Sequence, residues 1–178
     1  MLLSDDIYDP LTGLLCRSYT IEKLLQMTSL SFYKSDGRTV GIILADIFNL
    51  RRPHELYGHS PVDDVIREAG RVVQAHAHPN DLACRYGGDE FLLVVLGLTL
   101  PELRQRAEEL RLAVQGVRIY YKGEPRERIK LSIGIGMWPP DYQELGFNTT
   151  LNGFELLMQI ADRDLQHSRS QYLGEPLN

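Results

Sequence analysis

The chain has 178 residues, enough for one domain with a sizeable core. Hydrophobic residues make up 43% and charged residues 24%, ordinary globular proportions that argue against a disordered chain. A net charge of −5 argues against a surface built to neutralise a nucleic-acid backbone, but leaves room for a small phosphorylated ligand held locally.

Residues 1–8 are short and acidic and are expected to be a linker remnant, with no pattern of a signal peptide. Asp9-Pro10-Leu11-Thr12-Gly13-Leu14 reads as a turn-rich opening. Residues 18–27 read as a helix capped by Ser18, with Ile21, Leu24 and Leu25 on its inner face. Ser35-Asp36-Gly37 is a turn. Residues 40–45 form a continuous apolar run that ends on Asp46, the pattern of a strand covered on both faces. A carboxylate there is costly to bury unless it is paired or bound to metal, and emergence into solvent is an equal alternative.

Residues 51–57 predict a short helix stopped by Gly58, with Pro53 expected to disturb it. Ser60, Pro61 and Asp63 form a capping signature for a helix to about His76, with Val62, Val65, Ile66, Ala69, Val72 and Val73 at a 3.6-residue period. Residues 81–86 and 91–96 are the arms of a hairpin, and Gly87-Gly88 at its turn is expected to supply φ > 0. Thr99 and Glu102 cap a helix to about Val114, with Leu103, Ala107 and Leu110 inward. Residues 117–121 read as a strand followed by a turn at Lys122-Gly123-Glu124-Pro125.

Residues 129–137 alternate, with Leu131, Ile133, Ile135 and Met137 on one face and Ser132, Gly134 and Gly136 on the other. The small face would admit a helix or a ligand closely. A polar loop over 139–150 precedes a helix capped by Asn152 and Glu155, with Phe154, Leu157, Met158, Ala161 and Leu165 buried. It runs to about Ser170, and a loose tail is expected from Tyr172. Cys16 and Cys84 lack metal-ligand spacing and are expected to be reduced, buried and inert, which suits a cytoplasmic protein. His59, His76 and His167 show no ligand spacing either and are read as surface or capping residues. The longest apolar run, residues 91–98, is too short to span a bilayer.

The element order contains a βαββαβ kernel, an α+β arrangement in which the first strand lies beside the hairpin. Asp46 and the adjacent carboxylates Asp89 and Glu90 could then face one site. Hard Mg²⁺ asks for such oxygen ligands, whereas an isolated acidic turn is more often merely solvated.

The stretch Arg85-Tyr86-Gly87-Gly88-Asp89-Glu90-Phe91 resembles the signature of the GGDEF domain, the diguanylate cyclase family. The residues at 9–14, Gly58-His59 with Asp63, and Leu131-Ser132-Ile133-Gly134-Ile135 fall where that family's other motifs fall, so the likeness covers residues 9 to about 169. The resemblance implies a nucleotide-cyclase or polymerase-palm fold: a ferredoxin-like βαββαβ core, a mixed central sheet flanked by helices, and an added peripheral hairpin. The domain would occupy residues 9–171, with 172–178 as a tail.

The activity implied is condensation of two GTP into cyclic di-GMP, with Mg²⁺ or Mn²⁺, at a homodimer interface. Asp46, Asp89, Glu90 and the Ile47 carbonyl would hold the metal, and Glu90 would assist it or take a proton. Gly87 and Gly88 would lie against the nucleotide, Arg51 and Arg169 would hold phosphates, and Asp63 and His54 would face guanine. Asp63 also fits its capping role, and Arg169 also fits a cation at a helix C-terminus. The implied partners are an upstream sensory domain and, as an open alternative, a phosphodiesterase domain; neither nucleic acid nor membrane is among them.

Four positions depart from the pattern. His54 replaces an asparagine and lacks the paired donor and acceptor of an amide. Phe48 stands where a second strand-end acid is usual, and Leu173 where a basic residue is expected. The family's product site, an arginine three residues before an aspartate, is His78 and Asp81 here, without the bidentate fork. His54, Phe48 and Leu173 leave a second reading, a catalytically silent module that binds GTP or a partner chain and regulates. A third is another nucleotidyl cyclase or polymerase-like palm, since fold alone does not fix the substrate.

Overall fold

The structure is a computed structural model and describes residues 7–29, 38–138 and 152–172. The expected turn at 35–37, the loop at 139–150 and Leu173 lie outside the described residues. The elements are β1 (Leu15–Cys16), α1 (Arg17–Met27), β2 (Val40–Ile47), α2 (Arg51–Tyr57), α3 (His59–His76), β3 (Leu82–Arg85) and β4 (Glu90–Leu96). Then follow α4 (Leu100–Val114), β5 (Arg118–Tyr121), β6 (Glu124–Arg128), β7 (Leu131–Trp138) and α5 (Gly153–Tyr172).

Five strands form a mixed sheet in the order β1-β3-β4-β2-β7. The kernel β2-α3-β3-β4-α4-β7 is the expected split arrangement, and the β5–β6 hairpin is inserted between α4 and β7 as a separate sheet. All eight residues of β2 are buried, as a strand covered on both faces requires. On one face Ile43, Ala45, Ile47, Phe91, Leu93 and Val95 pack against Val62, Val65, Ile66 and Ala69 of α3 and Leu103, Ala107 and Leu110 of α4. On the other, Val40, Ile42, Leu44, Leu92 and Val94 pack against Leu24 of α1 and Leu157, Ala161 and Leu165 of α5. Each such side chain contributes about 1.5–3 kcal/mol by leaving water, so these two layers hold the sheet rigid.

The small face of β7 receives a helix. A Cβ on Gly134 would overlap the Ala161 carbonyl and the Leu165 amide, and one on Gly136 would meet the Leu157 carbonyl at 2.6 Å. Asp164 and Ser168 of α5 accept the Ile135 and Ile133 amides at 2.9 and 3.2 Å, satisfying donors of this edge strand. Asn152 and Glu155 form the reciprocal cap of α5, at 2.9 and 3.1 Å. Thr99 and Glu102 do the same for α4.

Several expectations are corrected. Leu24 of α1 is buried as expected, but Leu25 is 46% exposed and Thr20 is buried beside Leu24. Helix α3 begins at His59 after Gly58 at φ 81°, and Ser60 makes no capping bond. Pro53 sits buried in the first turn of α2, where an amide has no helical partner, and His54 still donates to Leu50 at 3.0 Å. Gly87 and Gly88 are not among the positive-φ residues: the hairpin closes through a four-residue loop in which the Tyr86 and Gly87 amides both donate to the Glu90 carbonyl. Residues 124–128, read as turn and connection, form β6. Its Tyr57–Glu127 bond of 3.2 Å and the Tyr57–Tyr121 ring contact dock the hairpin on α2. Cys16 is only half-buried, whereas Cys84 is fully buried and burial pushes its thiol up to about 11, which keeps it inert. Helix α5 continues through Tyr172, past the expected end at Ser170.

Candidate functional site

Two sheet registers bring the acids together. Asp46, at the end of β2, lies opposite Glu90 of β4 on one side and Ser132 of β7 on the other. Directly paired residues share a face, so all three sit in one row on the α5 side of the sheet. Asp89 is held next to this row because its carbonyl accepts the Ile47 amide at 3.1 Å. Asp46 does not emerge into solvent, being only 1% exposed. Among the described residues its side chain is bonded by Arg169, 2.8 Å away and 123 residues along the chain.

Burial is the main influence on the Asp46 carboxyl and raises its pKa to about 6; Arg169 pulls it back down, and the Asp89 and Glu90 charges push it up again. A raised carboxyl pKa favours the protonated folded form. The group therefore contributes stability below the unfolded value of 3.8 that is lost as pH rises through about 6. Asp46→Asn is accordingly expected to raise the melting temperature of the metal-free domain at pH 7, by no more than about 3 kcal/mol in stability, and to make little difference at pH 4. Thermal melts of both proteins across that range check this, and a wild type more stable than the variant at pH 7 would contradict it.

The turn is pinned from behind. Arg85 donates to the Gly88 carbonyl at 2.7 Å and to the Asp9 carboxylate at 3.1 Å. Asp9 also accepts the Thr12 amide and hydroxyl, at 2.8 and 2.7 Å, so the opening motif anchors the signature loop. Glu90 turns back over the loop, and a Cβ on Gly87 would run into its carboxylate. Gly88 faces open space.

The remaining candidates stand around this centre with unequal engagement. Arg51 is highly exposed and pairs with Glu55 at 3.0 Å. His54 packs edge-on against His59, with ring centroids 4.9 Å apart. Asp63 is half-buried on the first turns of α3 and is free of the capping role expected for it. Phe48 follows β2, its amide donating to the Lys130 carbonyl at 2.8 Å. A groove of about 610 Å³ between α3, α4 and β5 contains none of Asp46, Asp89 and Glu90. Its Arg67 and Arg71 are already paired with Asp64 and Glu68, so the chemistry is not placed there.

Among the described residues no group of three or more His, Cys, Asp or Glu is arranged to hold a metal ion. Mg²⁺ does not require three, since it commonly takes one or two carboxylates and completes its shell with phosphate and water. The oxygen donors of Asp46, Asp89 and the Ile47 carbonyl fit that demand in kind. A buried carboxylate with one guanidinium partner among the described residues and two like charges beside it also fits a cation. Sequence reasoning missed the Arg169–Asp46 and Arg85–Asp9 pairs and the buried Ser132 hydroxyl, which has no hydrogen-bond partner among the described residues.

An α+β palm with an acidic hairpin against a buried strand-end aspartate defines a class, and the comparisons agree with it. Residues 6–172 match the family described as diguanylate cyclase, GGDEF domain, and the chain belongs to that family. The diguanylate cyclase DosC of Shigella sonnei is 28% identical over 131 residues, 72% of this chain and 26% of the relative. The response regulator PleD of Caulobacter vibrioides is 30% identical over 134 residues, 74% of this chain and 28% of that one. The chain thus spans about a quarter of the length of these curated relatives. Among solved structures, the GGDEF domain of DgcB from Caulobacter crescentus, in complex with c-di-GMP, superposes with a TM-score of 0.80 at 24% identity. That match covers 96% of this chain and 94% of the other. Diguanylate cyclase SiaD from Pseudomonas aeruginosa, in complex with its activator SiaC, gives 0.78 at 23% identity, covering 93% and 58%. At these identities the superpositions establish the fold. No helix among the described residues is long and apolar enough to cross a membrane.

Proposed function

We propose that residues 9–171 form the catalytic output domain of a cytoplasmic signalling protein, one that condenses two GTP into cyclic di-GMP. Each subunit of a homodimer holds one GTP. The 3′-oxygen of one attacks the α-phosphorus of the other, the bond to pyrophosphate breaks, and a second such step closes the ring. The observation that carries this reading is the buried Asp46 carboxylate set beside the Asp89–Glu90 turn in a chain of this family.

Asp46, Asp89 and the Ile47 carbonyl would hold Mg²⁺ or Mn²⁺. The cation, when bound, neutralises the triphosphate and lowers the pKa of the attacking hydroxyl. Glu90 would take the proton or assist the metal. Gly87 and Gly88 let backbone approach the nucleotide, and Arg51 and Arg169 hold phosphate oxygens. Asp63 accepts from the guanine N1–H and N2–H₂ edge, and His54 offers one ring nitrogen to the base. An upstream sensory domain would bring two such domains face to face. A phosphodiesterase domain elsewhere in a longer protein is compatible with this role.

The test fuses the domain to a dimeriser and incubates it with GTP and Mg²⁺ or Mn²⁺. Cyclic di-GMP is the expected product. The competing regulatory reading draws on His54, Phe48 and Leu173 and on the engagement of Asp46 by Arg169. No product from the forced dimer would favour it.

Two further results follow for ligands. His54→Asn restores an amide and is expected to sharpen preference for GTP over ATP by about tenfold, the order of one well-made paired contact. Competition binding of GTP, ITP and ATP measures this, and an unchanged preference dismisses His54 as a discriminator. Product inhibition at His78 and Asp81 is expected to be weak. Asp81 is already bonded to Arg106 and to the His78 amide, and neither of its polar neighbours is the missing bidentate fork at position 78. Calorimetry should find no sub-micromolar cyclic di-GMP site that His78→Ala abolishes; finding one overturns the expectation.

A further inference from the structure

We infer that Arg169 is a place-holding cation: its guanidinium occupies the Asp46 carboxylate in the metal-free protein and yields it to the divalent ion, which frees the arginine to turn toward phosphate. This rests on the proposed metal seat at Asp46 and Asp89.

The asymmetry of the pair carries the inference. The Asp46 side chain is 2% exposed and fixed by a strand bonded on both sides, so it cannot leave its position to find another partner. The Arg169 side chain is 37% exposed and rides on a flexible stem near the end of α5, so it has a solvated alternative. A guanidinium brings one positive charge to a carboxylate that faces two more, Asp89 and Glu90, whereas a divalent cation brings two and bonds directly.

Exchange requires no movement of the helix. Leu165 is buried, and Asp164 and Ser168 bond the β7 amides from the two turns before Arg169. Only the arginine rotates. Ser132 completes the device. Its hydroxyl is fully buried, has no partner among the described residues, and lies beside Asp46 in register on the same face. It is a donor in reserve for the carboxylate oxygen that re-aims when Arg169 departs.

The experiment titrates nucleotide-free protein with Mn²⁺ and follows the free-ion electron paramagnetic resonance signal. Arg169→Gln removes the competing charge and is expected to bind Mn²⁺ about five- to tenfold more tightly than wild type, the order of one charge-assisted bond released. Asp46→Asn should abolish binding in both backgrounds. Equal or weaker Mn²⁺ affinity in Arg169→Gln, with Asp46-dependent binding intact in wild type, overturns the exchange and leaves the metal seat standing. Absence of any Asp46-dependent binding overturns the seat and the exchange together. A measurement on the wild type covers misfolding of the variant: arginine side-chain NMR with Mg²⁺. The Arg169 guanidinium should pass from a restrained to a solvated signature as Mg²⁺ saturates; a guanidinium still restrained at saturation contradicts the exchange.

Discussion

Asp89→Ala is expected to remove cyclic di-GMP formation from the forced dimer, lowering the rate on the order of 10³-fold or more. Losing a residue that merely orients a metal ligand already costs about 10–100-fold, and a direct ligand should cost more. Folding should be spared. The bond that ties Asp89 to β2 runs from the Ile47 amide to its backbone carbonyl, which alanine retains. Its side chain makes no hydrogen bond or ion pair among the described residues and sits on a loop between strands. The melting temperature should therefore stay within a degree or two of wild type, the usual range for surface changes of about 0.5 kcal/mol. The variant is informative because these outcomes separate: lost activity with kept stability places Asp89 in the chemistry. Retained activity would remove Asp89 from the metal seat.

Gly134→Ala is expected to be the most damaging single methyl in the domain. The new Cβ would overlap the Ala161 carbonyl and the Leu165 amide, both backbone atoms of α5 that cannot rotate aside. The helix would have to lift from β7, disturbing the Asp164 and Ser168 bonds to the strand and the packing of Leu157, Ala161 and Leu165. Overpacking of this kind costs about 3 kcal/mol, and a rigid backbone obstacle places it at the upper end of the range. Urea unfolding measures the loss. Gly88→Ala is the matching control: its Cβ meets nothing, its φ is not positive, and its stability should change by no more than about 0.5 kcal/mol. A Gly134→Ala protein as stable as wild type would mean that α5 is not seated against β7 as described.

Much of this fold was legible because its signals are periodic or local. The six inward residues of α3 recur every 3.6 positions, and the reciprocal caps at Thr99 with Glu102 and Asn152 with Glu155 lie three residues apart. The same local rule failed at Ser60 because Gly58, in a left-handed conformation, ends α2 and starts α3 in one step, leaving no room for a separate cap. Strand β1 is two residues long, too short for any alternation to appear. Strand β6 is charged and mostly exposed on both faces, so no apolar period marks it.

The candidate site divides in the same way. Asp46 and the Asp89–Glu90 turn were legible because strand order alone places them together. The ion pairs that hold them were not. Arg169 lies 123 residues from Asp46, and Arg85 lies 76 from Asp9; a single charge pair at such a separation leaves no period in the sequence. Ser132 was read only as a small residue on the face of β7 that α5 covers. Its burial beside a carboxylate follows from a register that sequence does not print.

The most direct test of the shared metal seat is anomalous diffraction from crystals of the domain grown with Mn²⁺ and a non-reactive GTP analogue. The account predicts a manganese peak bonded to carboxylate oxygens of both Asp46 and Asp89, with the triphosphate completing its shell. Manganese bound elsewhere while those two carboxylates stay apart, with Arg169 still on Asp46, would contradict it.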